Sequence, residues 1–206
     1  MKKYIFALIL ILLSLSARAE KGEMQLHLGA GVFIPQSLGP ATGTNFIVAA
    51  PETGLKLFYG VSDNFDLGLK VMWSYLPNAN LMGYTDPASL VKGDLYYNYQ
   101  RWEVGAEVRW NWLPGYMVAP HLIVGAGGLF GVKTQQALYS ESTEIQYPDN
   151  SIASWFVEGG FDVTWRPWWH LLLTLETVYS YSPQCRGVEI NAWIGFDWFI
   201  NSINLR

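Results

Sequence analysis

The chain has 206 residues, a formal charge of −4 and a single cysteine, and it combines only 15% charged residues with ten Trp, twelve Tyr and ten Phe. One cysteine excludes an internal disulfide framework. The acidic balance argues against a nucleic-acid partner, because phosphate recognition wants a basic surface. Ten tryptophans exceed what a soluble domain of this size needs; Trp and Tyr settle where a protein crosses the two headgroup layers of a bilayer.

Lys2 and Lys3, the apolar run 4–13 and the small-x-small ending Ala17-Arg18-Ala19 read as a secretory signal peptide over residues 1–19, cleaved before Glu20. The run is short for a helical span, which takes about 20 residues. No cysteine follows it to carry lipid. Its removal takes three of the thirteen basic residues and none of the seventeen acidic ones, so the mature chain is more acidic still. Residues 20–206 are then one domain's worth of chain, without a linker-like composition break.

Beyond the signal no apolar stretch approaches a helical span, and the recurring pattern is alternation with period two, the strand signature. In residues 24–34, Met24, Leu26, Leu28, Ala30, Val32 and Ile34 share one face against Gln25, His27, Gly29 and Gly31. A second strand, 53–61, puts Leu55, Leu57 and Tyr59 opposite Lys56 and Phe58. Ser62-Asp63-Asn64 turns it into a third, 65–75, with Leu67, Leu69, Val71, Trp73 and Tyr75 opposite Asp66, Lys70 and Ser74. The fourth, 101–112, sets Trp102, Val104, Ala106, Val108, Trp110 and Trp112 against Arg101, Glu103, Glu107, Arg109 and Asn111. A soluble sandwich could carry such a charged face as its wet side. Strands this long, however, suit a tilted membrane crossing better.

Pro114-Gly115 leads to a fifth, Gly-rich strand over 118–132, whose facing is ambiguous because Ile123 and Leu129 are as apolar as Leu122, Val124 and Phe130. The sixth spans 151–166, the seventh 171–181 and the eighth 188–200. Connections alternate long and short: 35–51, 77–97 and 133–150 against 62–64, 113–117 and 167–170, with the short 182–187 breaking the pattern. That alternation is how short periplasmic turns and longer outer loops are distributed in outer-membrane barrels. With both termini periplasmic, Trp110, Trp112, Trp165, Trp168, Trp169 and Trp198 fall at the periplasmic ends of strands. Trp73, Tyr75, Trp102, Trp155, Tyr179 and Tyr181 fall at the outer ends. The expected fold is all-β: an eight-stranded antiparallel transmembrane up-and-down β-barrel, closed because a sheet edge in lipid would leave backbone groups unpaired.

The stretch Thr53-Gly54-Leu55-Lys56-Leu57-Phe58-Tyr59-Gly60-Val61-Ser62-Asp63-Asn64-Phe65 resembles the strand, short turn, strand unit of the OmpA/OmpX/OmpW-type barrels. Pro120-His121-Leu122-Ile123-Val124-Gly125-Ala126-Gly127 is similar to a strand entry common among them. Gly195, Trp198 and Ile200 are similar to their C-terminal assembly signal, although this chain continues through Asn201 to Arg206. The resemblance implies an outer-membrane location, a lipid surround, insertion by the barrel-assembly machinery and a monomer.

On this reading Lys56, Lys70, Arg101, Arg109 and Arg166 face inward with Asp66, Glu103, Glu107, Glu158, Asp162, Glu176, Glu189 and Asp197. The interior of an eight-stranded barrel is only wide enough for side chains to fill, so these charges are expected to pair. Pairing strands three and four from their periplasmic ends puts Lys70 near Glu107, a candidate element of a lumen plug. The function expected is a structural or surface-interaction one. Two alternatives stand beside it: a narrow path for small apolar solutes, helped if the inward glycines of strands one and five leave cavities, and a lipid A-modifying enzyme. Against the enzyme, His27, His121 and His170 all fall on the periplasmic side, leaving none near the outer leaflet as general base. The histidines and Cys185 lack ligand spacing, so no metal or other cofactor is expected. Cys185 reads as incidental in the last outer connection. Tyr84, Tyr96, Tyr97 and Tyr99 with Asn78, Asn80 and Asp86 suit either a surface ligand or, as the preferred reading of Tyr96–Tyr99, strand continuing above the membrane.

Overall fold

The computed structural model describes residues 21–37, 44–45, 49–141, 143–168 and 170–199. The proposed signal peptide, Trp169, Ile200 and the final residues lie outside them. Among the described residues there are ten strands: β1 (Glu23–Ser37), β2 (Thr44–Asn45), β3 (Ala50–Ser62), β4 (Phe65–Thr85), β5 (Lys92–Asn111), β6 (Val118–Tyr139), β7 (Glu144–Tyr147), β8 (Asn150–Trp168), β9 (Leu171–Tyr181) and β10 (Arg186–Phe199). The eight long ones match the expected strands, and β2 and β7 are short additions lying on β4 and β6.

All pairings are antiparallel, and β1 closes the ring by pairing with β3 on one side and β10 on the other. No edge is therefore left among the eight long strands, as lipid demands. The period-two pattern becomes an inside and an outside. Leu69 (62% exposed), Leu175 (69%), Val124 and Phe161 stand on the outer wall. Lys56, Lys70, Glu103 and Glu107 point inward and are buried. A soluble sandwich would show the reverse, so the apolar belt identifies lipid as the solvent of this wall.

Aromatic side chains rim the belt at both ends. Trp110, Trp112, Trp165, Trp168 and Trp198 stand exposed at the end that carries the short turns, and Trp102, Trp155, Tyr179 and Tyr181 at the other. His170 makes the tight β8–β9 turn with a φ of 67°.

The ambiguous strand is settled by packing: Ile123 and Leu129 are fully buried in the interior, while Leu122, Val124 and Phe130 face out. The inward glycines likewise have occupants, which corrects the expectation that they leave cavities. A Cβ on Gly29 would lie 2.3 Å from the Trp193 ring, and one on Gly127 2.8 Å from Phe156. Phe58 covers Gly68, Phe33 covers Gly187 and His27 covers Gly195 in the same way. These five ring side chains each lie over a neighbouring strand's glycine, which lets bulky rings fit inside a narrow ring of strands. Gly29→Ala is accordingly expected to lower stability by about 1–3 kcal/mol through overpacking, read from urea unfolding. The double variant G29A/W193L should recover part of that loss, the remainder coming from the Ala192 carbonyl oxygen 2.8 Å from the added Cβ; no recovery would show that Trp193 is not the cause.

β4, β5 and β6 continue past the belt, so residues 77–97, expected as a loop, are mostly strand, and Tyr96 to Tyr99 lie inside β5. Bulges sit where these strands leave the barrel, next to Asn78 (φ 51°) and Gln135 (φ 52°). Asn98 bridges them: its Oδ1 accepts from Asn78 N at 2.9 Å and its Nδ2 donates to Gln135 Oε1 at 2.7 Å.

Candidate functional site

Inward residues of the eight strands meet along the barrel axis in successive tiers. Nearest the short turns, Arg166 bonds Glu23 at 2.6 Å and Asp197 at 2.7 Å, and His170 Nδ1 lies 2.8 Å from Asp197. Next, Arg109 holds Asp66 at 2.8 Å, donates to Gln25 Oε1 and lies 3.7 Å from Asp162, with its guanidinium over the Phe58 ring. His121 Nδ1 meets Asp162 at 2.6 Å, and His27 Nε2 lies 3.2 Å from Gln25 Oε1.

In the middle, Lys56 bridges Glu107 at 2.7 Å and Glu176 at 2.6 Å, with the Trp193 ring 4.9 Å away. One tier further out, Lys70 is held by Glu158, by Glu189 at 3.1 Å and by Glu103 at 3.2 Å. Arg101 shares Glu189 at 3.1 Å and Glu103 at 3.4 Å, and adds Glu52 at 3.4 Å and the Ser74 hydroxyl at 3.1 Å.

All ten expected lumen residues, Lys56, Lys70, Arg101, Glu103, Glu107, Arg109, Glu158, Asp162, Arg166 and Glu176, thus take part in ion pairs in these stacked tiers. The direct Lys70–Glu107 pair does not form. The β4–β5 register sets Lys70 opposite Gly105 and Glu107 opposite Gly68, so Glu107 goes to Lys56, and Lys70 reaches across the lumen to β8 and β10. Sequence reading left out Glu23 and Glu52, although their parity with Gln25 and Lys56 on β1 and β3 was a usable signal. Asp66, Glu189 and Asp197 stand where the alternation puts them.

Salt bridges removed from water do not guarantee stability, because desolvation offsets much of the attraction. Their geometric demand is what they supply here. Three carboxylates on β5, β8 and β10 converge on one ammonium from β4, which ties four strands to a single relative placement.

Above Arg101 the interior turns apolar. Phe33, Ala50, Leu76, Ala79, Tyr97, Tyr99 and Cys185 form one buried cluster, and the Phe33 ring lies 3.7 Å from the Arg101 guanidinium. Cys185, expected to be incidental, is folded into this cluster by the turn in which Ser182 N donates to the Cys185 carbonyl at 2.8 Å. Outside the belt, Asp86 shapes the β4–β5 turn by accepting from Ser89 N at 2.8 Å and Ser89 Oγ at 2.5 Å, which holds its carboxyl below the usual range. A groove of about 270 Å³ beside that turn is lined by Tyr84, Leu95, Gln136, Tyr147, Asp149 and Asn150. A second groove, of about 340 Å³, is lined by Trp102, Phe130 and Val132 on the lipid-facing wall.

No protein-family model matches the sequence, and no curated protein does. Solved structures do. OprG of Pseudomonas aeruginosa, an outer membrane protein, superposes with a TM-score of 0.61 at 12% identity, covering 88% of this chain and 98% of that one. Ail, the attachment invasion locus protein of Yersinia pestis, solved with the heparin analogue sucrose octasulfate, gives a TM-score of 0.55 at 11% identity over 86% and 99%. At such identities the likeness is one of fold. Together with the apolar belt and its aromatic rims, it makes this chain an eight-stranded β-barrel of the Gram-negative outer membrane, with the fold of the OmpA/OmpX/OmpW-like proteins.

Proposed function

We propose that this barrel is a closed one, serving as a structural and surface-interaction protein and not as a pore or an enzyme. The observation that carries the reading is the Lys70 ammonium, fully buried among Glu103, Glu158 and Glu189, beneath an apolar cap and above three further tiers of bonded charge. An ion entering this column would have to break several charge-assisted hydrogen bonds at once, each stronger than a neutral one. Placement of His27, His121 and His170 at the periplasmic end supports a non-enzymatic role, since chemistry on outer-leaflet lipid would need its base at the far end.

What the protein offers outward is the raised part of β4, β5 and β6, with the groove lined by Tyr84, Leu95, Gln136 and Tyr147. Tyrosine faces beside amide and carboxylate groups suit a neutral polar ligand such as a saccharide. Asp149 in the groove's lining disfavours a sulfated ligand of the kind that Ail holds. The protein acts as a monomer in outer-membrane lipid, where the barrel-assembly machinery inserts it. The competing conduit for small apolar solutes draws on the groove at Trp102 and Phe130, but that groove opens to lipid.

Reconstituted into planar bilayers, the protein is expected to give no steady conductance above the lipid background. A constitutive open channel, or uptake of apolar solutes into liposomes that depends on the protein, would overturn the closed reading. Unaltered lipid A mass spectra from cells with and without the protein are expected; a shifted acyl pattern would restore the enzyme.

A further inference from the structure

Two acids meet head to head where the Lys56 tier adjoins the Lys70 tier. Glu107 on β5 and Glu158 on β8 are both paired with Gly125 on β6, so the three lie in one cross-strand row with no side chain between the two carboxyls. Glu158 leans across that gap. Its Oε1 lies 2.5 Å, and its Cγ 3.0 Å, from where a Gly125 Cβ would be. The carboxyls of Glu107 and Glu158 thereby come within hydrogen-bonding range of each other, and both are buried.

Each carboxyl already gives one oxygen to a lysine: Glu107 Oε1 to Lys56 at 2.7 Å, and Glu158 Oε2 to Lys70. The other two, Glu107 Oε2 and Glu158 Oε1, are buried without a donor. Neither lysine supplies one. Lys70 commits its three hydrogens to Glu158, Glu189 and Glu103, and Lys56 turns from Glu107 to Glu176 with the Trp193 ring beside it. Arg109, the next base along β5, is held by Asp66 and Asp162. The remaining charged neighbours, Glu103 on β5, Glu176 on β9 and Glu189 on β10, only add negative charge. Two ionised carboxylates are acceptors alone and repel, and at this range in a buried site they cannot both stay ionised.

We propose that Glu107 and Glu158 hold one proton between them at neutral pH, in a carboxyl–carboxylate hydrogen bond from Oε2 of the first to Oε1 of the second that ties β5 to β8 across Gly125. The proton belongs to the pair and not to either residue. A bond of this O–H···O⁻ kind is among the shortest and strongest a side chain makes. In the unfolded chain both glutamates give up their protons above about pH 4.3, so folding takes one proton up. Stability drawn from this bond is therefore full in acid and declines as the pH rises, until the folded pair itself lets the proton go.

The shared proton and the closed lumen fail separately: bilayer conductance tests closure, and titration tests the proton. The refolded full barrel and its Glu158→Gln variant are unfolded by urea in lipid vesicles between about pH 6 and 8. An amide at 158 can accept from Lys70 with its oxygen and donate to Glu107 with its nitrogen at every pH. The unfolding constant of the unaltered protein, divided by that of the variant, is accordingly expected to rise about tenfold per pH unit, the signature of one proton. A weaker Lys70 contact in the variant would shift this ratio but not its slope. Infrared spectra at neutral pH should show a protonated-carboxyl band that weakens in Glu158→Gln. Should that variant fail to fold, Glu107→Gln takes its place with the same two expectations. A ratio that does not change with pH, a carboxyl band that the substitution leaves intact, or no such band in the unaltered barrel would overturn the proposal.

Discussion

Lys70→Met is expected to be the most damaging single change in the interior, lowering the unfolding free energy by about 3–5 kcal/mol. The methionine fills similar volume, so the loss is electrostatic: Glu103, Glu158 and Glu189 would converge on nothing. Urea unfolding in lipid vesicles, followed by Trp fluorescence and by the heat-modifiable gel shift, reads the effect directly. Adding Glu158→Gln to Lys70→Met should recover part of the loss by removing one of the stranded charges. A loss below about 1 kcal/mol for the single variant would mean that water already occupies this tier, because exposed ion pairs are worth no more than that.

Leu175→Arg tests the wall as Lys70→Met tests the lumen. Leu175 lies halfway along β9 and is 69% exposed. On a soluble protein an exposed leucine can become arginine within about ±0.5 kcal/mol. At the depth of the bilayer midplane the same change costs about 2–4 kcal/mol. Trp168→Arg, at the rim beside the β8–β9 turn, is the internal control and should cost roughly 0–1 kcal/mol. Equal, small losses at both positions would remove lipid as the solvent of this face.

The parts of the structure that were readable in the sequence are those that depend on one strand at a time. Leu55 and Leu57 against Lys56, or Trp102 and Val104 against Glu103, declare their faces because lipid and lumen demand opposite chemistry of alternate residues. β6 did not declare its faces, because Ile123 and Leu129 fill the interior with the same kind of side chain that its outer face shows to lipid. Partners were harder. Lys70 bonds Glu158 and Glu189, 88 and 119 residues further along the chain, and no local spacing encodes such a meeting. It follows from ring closure and strand tilt, which turn neighbours in register into non-neighbours in contact. The Lys70–Glu107 expectation set Lys70 against one acid of the adjacent strand, whereas Lys70 takes Glu103 on that strand and, because the lumen is narrow, also crosses it to Glu158 and Glu189. The burial of Cys185 has a related origin: a residue two positions beyond a Pro in a connection carries no local sign of its packing, and the turn closes it over Tyr99 and Phe33.

The raised strands give the molecule a bearing in the plane of the membrane. Residues 77–85 of β4 add about 30 Å of strand at roughly 3.3 Å per residue, whereas β9 stops at Tyr181 and β10 resumes at Arg186. On one flank the strands form an upright wall, its foot fastened by Asn98; at the β9–β10 turn the described residues stay close to the rim. Anything approaching along the cell surface therefore meets the β4–β6 wall or the low β9–β10 turn depending on azimuth, and rotation of the barrel about its axis becomes a variable in encounter.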